Sequence, residues 1–187
     1  MIQNFLNQKM QDSINILKES SNSPKEINTI ILDSKFFNEM YFKSDIRNLE
    51  LKPLFDGLLN IKKPVLYWFE IDNFQTNAEI IRDLYLNHLK NKSGRNISSY
   101  KKNFDSNSKT LYVGKVKTGF WGRVITHLGY HKSEKTAGLQ LFQWYNVAKG
   151  QPSLKLHYIV FENNMQNQIA VLEYELAQEL KPILGRY

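Results

Sequence analysis

Residues 109–131, KTLYVGKVKTGFWGRVITHLGYH, join a strand-like run, a glycine turn, several cations and an arginine–histidine pair. Arg123 and His127 are four residues apart. At about 100° per residue they stack on one flank of a stripe made by Phe120, Val124, Ile125 and Leu128. A guanidinium presents a planar fork to phosphate or carboxylate oxygens, and an imidazole exchanges protons near neutral pH. Neither a plain core strand nor a plain surface helix needs that combination.

A second candidate stands near the C-terminus. In NQIAVLEYELAQELKP, Ile169, Leu172, Leu176 and Leu180 form an apolar stripe. Glu173 falls about 50° from the centre of that stripe and Glu175 about 110° from it. Glu173 therefore leans toward the core, where an unpartnered carboxylate is costly. It requires an arginine, a hydrogen-bond donor or a metal ion.

These groups need a frame. VLYWFEI, TLYVGKV and LKLHYIVFE are rich in aromatic and β-branched residues and read as three strands. Helices are expected over about 77–90, from about Gly119 to Leu128, around AGLQLFQWYNVA, and from an N-cap at Asn167 to the stop at Pro182. FLNQKMQDSINILKE spaces Phe5, Met10, Ile14 and Leu17 as an amphipathic helix, while INTIILDSKFFNEMYF fits either a buried strand or a helix. The expected fold class is α/β (α+β), a small sandwich of three strands and several helices in mixed order. Residues 1–61 read as an N-terminal helical extension and residues 62–187 as the main domain.

Composition narrows the function. The chain has 187 residues, 42% of them hydrophobic and 23% charged, and no cysteine. Thiolate chemistry and disulfides are excluded, which suits a cytoplasmic setting. No stretch has the length of a membrane span. A net charge of +7 favours a polyanionic partner.

In sequence order, the tripeptides VLY at 65–67 and YVG at 112–114, Arg123 with His127, and Glu173 followed by Leu176 and Pro182 resemble the motifs of the GIY-YIG nuclease family. The resemblance covers roughly residues 62–186. It departs from the family in Val65 for glycine, in an insertion at about 75–108 between the tripeptides, and in Gly185 where an asparagine is common.

The resemblance implies a small three-stranded, mainly antiparallel sheet flanked by helices, and a metal-dependent endonuclease acting on nucleic acid, most readily DNA. Phosphodiester hydrolysis needs an activated water, a clamp on the developing negative charge and a stabilised leaving oxygen. The implied metal ligand is Glu173, holding Mg2+ or Mn2+ largely through water. Arg123 would grip a phosphate oxygen, Tyr67 is the implied general base, and Tyr112 would orient water or phosphate. Lys115 and His127 are implied as phosphate or proton-relay groups. Lys101, Lys102 and Lys117 are the candidate contacts to the nucleic-acid backbone. A symmetric homodimer would suit a palindromic duplex. The rival expectation is a silent nucleic-acid-binding module on the same scaffold.

Overall fold

The computed structural model describes residues 2–72, 78–90, 98–99, 104–131, 137–145, 147 and 150–186. Helix α1 (Ile2–Ser21) leads to strand β1 (Asn28–Leu32) and two short helices, α2 (Met40–Lys43) and α3 (Lys52–Leu59). Strand β2 (Val65–Ile71), helix α4 (Ala78–Lys90) and strand β3 (Thr110–Val116) follow. Then come α5 (Phe120–Leu128), α6 (Leu141–Trp144), strand β4 (Leu154–Val160) and α7 (Ile169–Leu180). The protein is thus α+β, and its four strands pair antiparallel in the order β1-β4-β2-β3.

Strand β2 lies between β4 and β3 and is covered on both faces, which is why VLYWFEI is almost continuously apolar. Its alternation sorts the core. Val65, Tyr67, Phe69 and Ile71 face a layer containing Phe55, Phe120, Val124 and Leu128. Leu66 faces the other way, with Val113, Ile169 and Ala177, beneath α7. Strand β3 is one of the two edge strands, and the chain end after α7 pairs with part of its free edge. The Ile183 and Leu184 N–H groups donate to the carbonyls of Thr110 and Leu111 at 2.9 Å each.

The sheet has four strands where the sequence suggests three. The fourth, β1, comes from the ambiguous stretch beginning at Ile27, and its five residues pair with β4 from Asn28–Tyr158 to Leu32–Leu154. Without it, β4 would expose a full row of unpaired backbone groups. The remainder of that stretch forms a 3-10 turn at Ser34–Phe36 and the single turn α2. The expected helix around AGLQLFQWYNVA is also only one turn, α6.

Asn167 is not the N-cap of the last helix. A 3-10 turn at Asn163–Gln166 precedes α7, and the Asn167 side chain accepts from Lys117 Nζ at 3.2 Å instead. Among the described residues no helix is long and apolar enough to cross a membrane.

Candidate active site

The expected residues gather where the two faces of the sheet meet at the β3 edge. Tyr67 comes from β2, Tyr112 and Lys115 from β3, Arg123 and His127 from α5, and Glu173 from α7. Register explains the crossing. Tyr67 is opposite Gly114, and Phe69 is opposite Tyr112, so both tyrosines point to the α5 face. Lys115 is opposite Leu66 and points to the α7 face, where its Nζ meets Glu173 Oε2 at 2.6 Å. The glycine of YVG is closely approached by both tyrosines. A Cβ on Gly114 would lie 2.5 Å from Tyr67 Oη and 2.7 Å from the Tyr112 ring. The second tripeptide thus needs its glycine for space.

Helix α5 is aimed by its entry. Gly119 adopts the left-handed conformation, φ 69°, which turns the chain from β3 into the helix. Arg123 then reaches back over the sheet. Its Nε donates to Tyr67 Oη at 3.0 Å and its Nη1 donates to the Ala137 carbonyl at 2.7 Å. Two fixed bonds from one planar group hold the fork in a single orientation beside Tyr112.

His127 is buried, 1% exposed, one turn further along α5. The Leu139 N–H donates to His127 Nδ1 at 3.2 Å. This fixes the neutral tautomer with its proton on Nε2, which donates to Tyr67 Oη at 2.9 Å. Burial, then the Arg123 charge, holds the imidazole well below its ordinary pKa. His127 is therefore a neutral donor to Tyr67.

Tyr67 Oη thus receives two N–H groups, an arrangement that favours a phenolate. Burial opposes it. The ring is enclosed by Phe69, Phe120, Tyr112 and His127, and desolvation raises the hydroxyl well above the ordinary tyrosine value. Arg123 offsets that rise only in part. Tyr112 is shifted the same way by burial, with Arg123 and Arg186 working against it.

A cleft of about 250 Å³ opens beside this group, and Tyr112, Lys115, Arg123, Glu173 and Arg186 line it. Tyr67 and His127 lie behind it, as supports for the arginine. The chain has no match among family models, curated proteins or solved structures. The geometry of the cleft therefore carries the chemical reading.

The charged groups of the lining are Lys115, Arg123, Arg186 and Glu173. Three cations, one of them paired with Glu173, give a surface suited to an anion held in a defined orientation. Arg186 is the residue the sequence reading missed, because it belongs to no helix or strand. The turn at Gly185, φ 124°, whose N–H donates to the Ser99 carbonyl at 2.9 Å, brings it to the cleft. A basic residue shortly after the helix proline was the available signal. Lys117 lies on the same side of β3 but spends its ammonium on Asn167. Lys101 and Lys102 lie outside the described residues.

Proposed function

We propose that this chain is a GIY-YIG-like endonuclease that hydrolyses phosphodiester bonds in nucleic acid, most readily DNA, in the cytoplasm. The supporting observation is the convergence of Arg123, Tyr112, Lys115, Arg186 and Glu173 on one cleft at the sheet edge. Arg123 clamps a non-bridging phosphate oxygen with the fork that Tyr67 and Ala137 hold in place. Arg186 steadies a neighbouring phosphate, and Tyr112 orients the attacking water from the cleft wall.

Among the described residues no group of three metal-ligating side chains exists. Those residues offer no protein cage. Glu173 supplies one hard carboxylate, which fits a Mg2+ or Mn2+ ion held otherwise by water and phosphate oxygens. Such an ion, when bound, lowers the pKa of a ligated water and stabilises the leaving oxygen. Lys115 holds the carboxylate toward the cleft in the meantime.

Two observations favour a second reading, a silent phosphate-binding module. Glu173 is ion-paired with Lys115, and the implied base Tyr67 is buried and kept protonated. Plasmid nicking in magnesium and in EDTA separates the two. Magnesium-dependent nicking that Glu173→Gln abolishes is expected. Tight DNA binding with no cleavage in either buffer would select the silent module.

A further inference from the structure

We infer that the N-terminal half of α1 is a homodimerisation surface, with a second copy of this chain as its partner. Every residue from Ile2 to Gln11 is exposed, and α1 has no fully buried residue. Yet Ile2, Leu6, Met10 and Ile14, at intervals of four, are 76%, 47%, 56% and 44% exposed, and Phe5 beside them is 61% exposed. The C-terminal half of the helix is anchored. Ile16 and Leu17 pack on the cluster beneath α7, and Ser13 accepts from Gln168. The apolar ridge thus continues past the body, with none of the described residues burying it.

The chemistry of the ridge selects the occupant. Between Ile2 and Ile14 the only charged residues are Lys9 and Asp12, which pair with each other at 3.4 Å. The rest of the polar face is amide and serine. A surface without free cations does not suit a nucleic-acid backbone. Nor does it suit an anionic membrane, for which surface helices are rich in lysine and arginine. Two chains of charge +7 repel one another, except where such a neutral face is presented.

The ridge is also its own complement. About a two-fold axis at residue 8, an antiparallel copy places Ile2 against Ile14 and Leu6 against Met10, since 2 + 14 and 6 + 10 share one sum. Helices within about 20° of antiparallel keep both pairs in reach over that length. The five side chains expose roughly 500 Å² per chain, so ~1,000 Å² over two copies, the size of a weak, exchanging dimer rather than a permanent one.

Sedimentation equilibrium of the full chain tests this. A species of twice 22.0 kDa is expected at micromolar concentration. Leu6→Glu with Met10→Glu should raise the dissociation constant about a hundredfold or more, with unchanged circular dichroism. Asn4→Glu, on the opposite side of the helix, should leave the dimer intact. Because the chain has no cysteine, Leu6→Cys with Met10→Cys should also oxidise to a covalent dimer. A 22.0 kDa species at all concentrations, or a dimer that survives the double glutamate variant, overturns the proposal.

Discussion

At the scale of single residues, the site turns on what holds Arg123. Its Nε bond to Tyr67 and its Nη1 bond to Ala137 use the planarity of the guanidinium, which lysine lacks. Arg123→Lys should therefore lower single-turnover cleavage tenfold or more, with DNA affinity changed far less; near-native turnover would reduce the residue to bulk charge. His127 makes a different prediction, in pH. Its folded pKa lies below the ordinary value of about 6.5, so the unfolded chain takes up the proton first. The stability contributed by its neutral form is complete above about pH 6.5 and is lost as pH falls toward the folded value. Tyr67 is shifted upward, so its contribution is complete below about pH 10 and is lost as pH rises. Denaturant midpoints should hit a plateau between those values. His127→Gln should start lower and decline less steeply from pH 6.5 to 5, by up to about 1.4 kcal/mol per pH unit. Parallel slopes for both proteins would mean that the imidazole takes up its proton equally in the folded and unfolded chains.

The elements explain why some of this was legible in the sequence and some was not. VLYWFEI and TLYVGKV coincide with β2 and β3, because a covered strand and its neighbour carry their burial in residue type. Glu173 falls on the inner side of α7 by helical spacing alone, and it is 8% exposed there, with Lys115 as its partner. Other features depend on contacts distant in sequence. Strand β1 is defined by its pairing with β4, more than a hundred residues on, and its own pattern is half exposed. Asn167 has the chemistry of a helix cap but is drawn away by Lys117. The enclosure of Tyr67 follows from Phe120 and His127 folding over β2, which no local pattern reveals. Gly114 joins the two kinds of evidence: the motif names it, and the register gives its reason. Gly114→Ala should bring a Cβ against the Tyr67 and Tyr112 rings, neither of which can yield without disturbing Arg123. A loss of about 1–3 kcal/mol in unfolding free energy is expected, together with reduced cleavage. Wild-type stability in that variant would show that the tyrosines have room to move.

Across the whole molecule, charge is unevenly distributed. Helix α1 holds Lys9, Lys18, Asp12 and Glu19, two cations less two anions, so the net +7 belongs entirely to the rest of the chain. Part of it lines the cleft as Lys115, Arg123 and Arg186, and Lys117 directly follows β3. A polyanion should therefore bind across the β3 edge and leave α1 untouched. Salt dependence reads this directly, because each phosphate neutralised on duplex DNA contributes about 0.9 to the slope of log K against log salt. Arg186→Gln should shrink the slope by roughly one and weaken binding to all sequences alike. Lys101→Gln with Lys102→Gln should shrink it by up to about two if the segment before β3 follows the backbone. Lys9→Gln on α1 should leave it unchanged. Saturating duplex removes affinity from the comparison, so cleavage of bound DNA should be nearly normal in the Lys101 and Lys102 variant, whose lysines take no part in the chemistry. A slope that responds to Lys9 and ignores Arg186 would move the nucleic acid to the other side of the molecule and leave the cleft without its substrate.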